Sequence, residues 1–250
     1  MIELEGVSRS GGADDEDARI DLTVRHASTV ALVGPTGCGK SLVAAIAAAR
    51  ARSRVGSVRV LGKEVRRLGA SALAKLRRNV GYAPQDPMFF DDESVLGNVG
   101  LPLALDGESS AEVRRSAEAA LDAVGLREAA GARLRELSGG SRRRAAIARA
   151  IAGSPPVVVV DDPIAGLDID AATQMLSVLD GVREGGAAVL VASAEPRLFS
   201  AARYLDWGIY VLDDAPRSLA ARPRTQTDPG DEEPQNILPF PAPRAAGGAE

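Results

Sequence analysis

The chain has 250 residues, 45% apolar and 26% charged, and its 30 basic and 34 acidic side chains give a formal net charge of −4. Those values lie near the globular average and exclude a wholly disordered or fibrous chain, while so mild a charge excludes a nucleic-acid binder that works through bulk electrostatics. The single cysteine, Cys38, excludes an internal disulfide and fits a reducing compartment. The longest apolar stretches, at 43–49, 157–160 and 187–194, fall well short of the ~18–20 residues that span a bilayer, so a membrane role must be borrowed from a partner. The first dozen residues lack the basic-then-apolar order of a signal peptide, and the chain is expected to start as mature protein.

In chain order, residues 2–7 and 20–24 read as strands around a Gly/Asp/Glu-rich turn at 10–17, which predicts a short antiparallel ribbon. Residues 29–33 read as a buried strand that runs into a glycine-rich turn, and 40–51 as an alanine-rich helix. Residues 58–61 and 79–84 are further strands, with a helix at 71–78 between them. From 86 to 137 the texture changes to helices and loops. There Ser109 and Glu112 form a capping-box pattern, and Val113, Ala117, Ala120, Leu121 and Val124 make one apolar face that stops at Gly125. Beyond 138 the pattern alternates again: helix 140–152, strand 157–160, helix 170–184, strand 187–191, strand 208–212. Alternation of this kind predicts an α/β fold, a mostly parallel sheet with helices on both faces, carrying an N-terminal antiparallel β subdomain and a helical insert. The expected organisation is a core of 1–86 with 138–221, an insert of 87–137, and a flexible Pro-rich acidic tail at 222–250, where 237–240 is the sole apolar cluster.

Gly34-Pro35-Thr36-Gly37-Cys38-Gly39-Lys40-Ser41 matches G-x-x-x-x-G-K-[ST], directly after a strand and directly before a helix. Its glycines let backbone N–H groups turn inward, and the helix N-terminus adds partial positive charge behind them, so a nucleoside triphosphate is the natural guest. The expected nucleotide-binding set is Gly34, Pro35, Thr36, Gly37, Cys38, Gly39, Lys40, Ser41 and Leu42, in which Lys40 reaches the β and γ phosphates and the Ser41 hydroxyl ligates Mg²⁺. Cys38 reads as a small loop residue. Four valines at 157–160 bury a strand that ends in Asp161 and Asp162, at the edge where open α/β sheets bind ligands. Asp161 is the expected magnesium carboxylate, and Asp162 the group facing the attacking water.

With these motifs the sequence resembles the nucleotide-binding subunits of ATP-binding cassette (ABC) proteins over about residues 1–215. Leu137-Ser138-Gly139-Gly140-Ser141, followed by Arg142-Arg143-Arg144, looks like the family's signature motif and the helix that it opens. Tyr82-Ala83-Pro84-Gln85-Asp86 is similar to its glutamine loop, and Ala165-Gly166-Leu167-Asp168 to its D-loop. The resemblance implies a P-loop NTPase that binds ATP and Mg²⁺ between two subunits closed head to tail. Each nucleotide would be held by one chain's cradle and by Ser138, Gly139 and Gly140 of the other. Gln85 would touch Mg²⁺ or the attacking water, and the insert would contact transmembrane permease subunits, placing the chain peripherally at the cytoplasmic face of a membrane. The segment 94–103, Ser94 to Leu103, looks like that of ATPases in lipoprotein-release, lipid-trafficking and cell-division complexes. Arg142, Arg143 and Arg144 read as one solvated helix face rather than a nucleic-acid patch.

Three departures from the family pattern bear on turnover. Where the family usually has Glu after the magnesium Asp, this chain has Asp162, one methylene shorter. The family's switch histidine is expected after Val191-Ala192-Ser193, where this chain has Ala194; its one histidine, His26, reads as a solvent-facing loop residue. Third, Gly11 occupies the place of the adenine-stacking aromatic, which leaves Arg9 as a candidate substitute; beside these three, Ser141 replaces the usual Gln of the signature, a milder change. The expected catalytic set is Lys40, Gln85 and Asp162. Two readings stay open: a slow ABC ATPase of a transporter, or a nucleotide-gated clamp with negligible hydrolysis, paired with an unlike cassette or serving a division-type complex.

Overall fold

The computed structural model describes residues 1–9 and 19–212, so Gly11 with the whole turn expected at 10–17, the end of the expected core at 213–221 and the tail at 222–250 lie outside the described residues. Alternation of apolar and polar side chains builds the first sheet. β1 (Ile2–Ser8), β2 (Arg19–Val24), β4 (Ser57–Val60) and β5 (Lys63–Glu64) pair antiparallel in the order β2-β1-β4-β5. One face buries Ile2, Leu4, Val7, Ile20, Leu22, Val24, Val58 and Val60, as expected of a sheet with one wet side.

Near-continuous apolar runs build the middle of the second sheet, where β7 and β8 are buried along their whole length and the edge strand β9 is partly exposed. β3 (Ser28–Val33), β6 (Val80–Ala83), β7 (Val157–Asp161), β8 (Ala188–Ser193) and β9 (Gly208–Val211) lie parallel in the order β6-β7-β8-β3-β9. Successive side chains on a strand point to opposite faces, and here they feed two cores. Val157, Val159 and Leu190 pack toward α1 (Lys40–Ala47), α2 (Ala70–Arg78) and the antiparallel sheet. Val158, Val160, Val189 and Val191 pack toward α5 (Gly139–Ile151), α6 (Ile169–Glu184) and α7 (Pro196–Tyr204). Gly81 permits one close approach, since a Cβ there would stand 1.8 Å from the carbonyl oxygen of Ala150.

Between β6 and α5 run α3 (Val95–Leu105) and α4 (Ser110–Ala123), capped by the hydroxyls of Ser94 and Ser109. The capping box of α4 is half formed: Ser109 accepts from the Glu112 amide, while the Glu112 carboxylate turns to Arg115 and Ser116. Ala117, Ala120, Leu121 and Val124 are buried as their spacing requires, and Gly125 follows at φ +67°.

The helix expected over 40–51 ends at Ala47, because Ala49 turns left-handed and its carbonyl accepts from Arg77 of α2. Alanine propensity carries no information about such a tertiary contact. β5 and α7 are further elements beyond those expected. Among the described residues no helix is long and apolar enough to cross a membrane.

Candidate nucleotide-binding site

Strand order brings the C-terminal ends of β7, β8 and β3 side by side, and the phosphate loop leaves the last of these. Residue 39 takes φ +99°, and a Cβ there would lie 2.3 Å from the carbonyl oxygen of Arg9, so only glycine lets the loop enter α1 at this point. Lys40, 8% exposed, folds back under the loop and donates to the carbonyls of Gly34 at 2.8 Å and Pro35 at 2.6 Å, with the Cys38 sulfur 3.6 Å away. The cation is thereby held against the inner wall, while Pro35, Thr36 and Gly37 stay exposed on the rim. Arg9 braces the loop from behind through its guanidinium, which donates to the Cys38 carbonyl at 3.3 Å.

Ser41, on the exposed first turn of α1, hydrogen-bonds Asp161 at the end of β7. Burial pushes the Asp161 carboxyl above its usual range; the Ser41 hydrogen bond and the Lys40 charge pull it down, and the neighbouring Asp162 and Asp86 push it up. Burial, and then the Asp161 charge, likewise raise the Tyr82 phenol. Asp162 lies just past β7 in the left-handed region, φ +59°, with its amide donating to the Ala192 carbonyl at 2.7 Å. Its carboxylate accepts from the hydroxyl of Ser193. Ala194 follows half-buried, and His26 sits exposed before β3, at the opposite end of the sheet. Gln85, two residues beyond β6, is exposed, and no hydrogen bond joins it to Ser41, Asp161 or Asp162.

The signature turn stands apart from the cradle. Ser138 caps α5 by accepting from the Ser141 amide, and Ser138 and Gly139 are exposed. The three arginines behind them do not share a solvated face, contrary to the sequence expectation. Successive helical residues diverge by about 100°, and each side chain reaches a different segment. Arg142 pairs with Asp91 at 2.7 Å, Arg143 donates to the Ala165 carbonyl, and Arg144 reaches the Val124 carbonyl at 3.3 Å and the Ser141 hydroxyl at 3.1 Å. Arg197 of α7 holds the same D-loop from the other side through the carbonyls of Leu167 and Ile164. Sequence reasoning missed the roles of Ser193 and Arg197: Ser193 reads there only as the residue before the switch position, at the end of β8, and Arg197 follows it on α7 outside any motif.

A family model described as "ABC transporter" matches residues 18–165, which is more than half of the chain. The chain belongs to the ABC transporter family. The uncharacterized ABC transporter ATP-binding protein YbbA of Escherichia coli K12 is 34% identical over 79% of this chain and 90% of its own length. The lipoprotein-releasing system ATP-binding protein LolD of Chromohalobacter salexigens is 31% identical over 79% and 86%. A dimeric, post-hydrolysis structure of the ATP-binding cassette MJ0796 bound to ADP and Pi superposes with a TM-score of 0.75 at 26% identity, covering 85% of this chain and 94% of that one. The P-loop NTPase fold expected from the motifs is thus the fold observed. This cassette is an ABC-type ATPase and the ATP-binding subunit of a transporter.

Proposed function

We propose that the cassette binds Mg·ATP through Gly34–Leu42, closes head to tail on a second nucleotide-binding subunit, and hydrolyses ATP slowly with Asp162 activating the water. The observation that carries this reading is the Lys40 ammonium buried beneath the loop carbonyls beside the Ser41–Asp161 pair. Among the described residues no group of three or more His, Cys, Asp or Glu could hold a metal. One hydroxyl and one carboxylate suit an ion that keeps its waters and takes phosphate oxygens. Bound there, Mg²⁺ would neutralise charge on the β and γ phosphates. Lys40 contributes a second positive charge, and the backbone N–H groups of the loop and first helical turn over 36–42 would orient the chain of phosphates. Gln85 would have to swing inward to reach the attacking water, which suits a residue that reports on a filled site.

The exposed Ser138–Gly139 turn at a helix N-terminus suits the γ-phosphate of an ATP held by the other subunit. On the same footing, 1–86 with 138–221 forms the ATPase core and 87–137 the insert. A groove of about 440 Å³ lined by Phe90, Asp92, Glu93, Gly97, Asn98 and Leu101, with Met88 exposed nearby, is where the insert would meet permease subunits at the cytoplasmic face.

A second reading is favoured by Ala194 together with the short side chain of Asp162: a weakly or non-hydrolytic, nucleotide-gated clamp, either paired with an unlike cassette that supplies the working site or serving a non-transport, division-type membrane complex. Turnover of the purified chain separates the two. Under the first reading Lys40→Ala and Asp162→Asn abolish measurable hydrolysis, and Asp162→Glu raises it by about tenfold, since a carboxylate displaced by roughly 1 Å costs up to ~100-fold. A chain without turnover that nonetheless dimerises on ATP refutes the first reading and supports the clamp.

A further inference from the structure

Asp162 is held by a relay that the sequence gives no sign of. Its Oδ1 accepts from Ser193 Oγ at 2.5 Å, and Ser193 Oγ in turn accepts from the Glu195 amide at 3.1 Å. A serine hydroxyl has one proton to give. With the Glu195 N–H occupying a lone pair and Ser193 itself 1% exposed, that proton has the Asp162 carboxylate as its acceptor and no bulk water competing for it.

The direction of this bond matters. Ser193 is the last residue of β8, the strand between β7 and β3, and it stands in register with Val33, the residue before the phosphate loop. The bond therefore draws a carboxylate that leaves β7 sideways, toward the strand from which the cradle springs. The left-handed backbone at Asp162 is fixed by its amide on the Ala192 carbonyl, so main chain and side chain of this residue are both anchored on β8. One oxygen is used in the bond and the other remains to take a proton from water.

We propose that Ser193 is the positioning residue of the hydrolytic site: its hydroxyl, set by the Glu195 amide, steers the short Asp162 carboxylate toward the γ-phosphate. This rests on the reading of Asp162 as the water-activating group. Ser193 is buried, with its hydroxyl taken up between Asp162 and the Glu195 amide, so its removal should act on the chemical step and leave nucleotide binding alone.

The test is steady-state hydrolysis of Mg·ATP by the full chain, with fluorescent-ATP titration and thermal melting alongside. Ser193→Ala, and Ser193→Cys with its poorer donor at nearly equal volume, should lower kcat by about 10- to 100-fold, the worth of one hydrogen bond to a charged group. KM and nucleotide affinity should hold within about twofold, and Ser193→Thr, which keeps the hydroxyl, should restore most of kcat. Turnover of Ser193→Ala at the native rate, equal losses in Ala and Thr variants, or a parallel loss of nucleotide affinity overturns the proposal. Asp162→Asn is measured in the same series. If it turns over at the native rate, the carboxylate is not the water-activating group and the inference falls with that reading. If it is inactive while Ser193→Ala is native, only the positioning role falls.

Discussion

Asn98→Ala should destabilise the cassette by far more than a surface substitution. The side chain is fully buried on α3, accepts from the Phe90 amide at 2.9 Å, and donates to the carbonyls of Phe90 at 2.9 Å and Ser94 at 3.0 Å; the Glu93 carbonyl, at 3.5 Å, is too distant to matter. Three good hydrogen bonds at about 1 kcal/mol each set an upper value near 3 kcal/mol. Two carbonyls keep other donors: Phe90 accepts from the Glu93 amide, and Ser94 from the Asn98 backbone. The Phe90 amide alone is orphaned, in a loop where water can enter, so the expected loss is about 2–3 kcal/mol. For a chain of this length that lowers Tm by about 5–10 °C. Asn98→Asp should be worse than alanine, because it sets a carboxylate against the carbonyl oxygens of Phe90 and Ser94, with only the Phe90 amide placed to pair with it. Differential scanning calorimetry measures both. A Tm within about 2 °C of native for alanine, or a milder effect for aspartate, would refute the account of this bracket.

Asp180 accepts from Arg183 at 2.7 Å and from the indole N–H of Trp207 at 2.8 Å; burial opposes its ionisation, but these bonds outweigh it and hold the carboxyl below its usual range. A depressed folded-state value stabilises above the unfolded value of ~3.9 and is lost as pH falls through the folded one. Asp180→Asn should therefore lower Tm at neutral pH by a few degrees and flatten its decline below about pH 4, with the fluorescence of the single tryptophan as a second readout. Arg143→Ala and Arg197→Ala release the D-loop carbonyls, and sedimentation velocity should find ATP-driven dimerisation weakened by about tenfold in each, with nucleotide affinity of the monomer unchanged; unaltered dimerisation would count against the clamp on that loop.

The cradle was legible because its chemistry is local: glycines, lysine and serine at fixed spacing between a strand and a helix leave few other ways to fold. The valine run of β7 and the acids at its end were legible for the same reason. What could not be read was each side chain's choice of a distant partner. Arg142, Arg143 and Arg144 look alike in a sequence, and only packing decides that one meets Asp91, one the D-loop and one the end of α4. Ser193 is silent for a related reason, since its meaning comes from β7 and β8 lying side by side. The end of α1 was overestimated because the turn at Ala49 is set by Arg77, 28 residues away.

The ring of Phe89 lies under two guanidinium groups of α5, Arg149 at 4.3 Å and Arg142 at 6.0 Å from its centre, and Arg149 also holds the Met88 carbonyl at 2.7 Å. Its neighbours Met88 and Phe90 are 88% and 64% exposed. Because the middle side chain is gripped, the loop has no freedom to roll over and tuck the outer two away. An unaccompanied subunit thus carries a permanently wet greasy edge, and its colloidal behaviour in dilute buffer is governed at those two positions more than by its modest net charge.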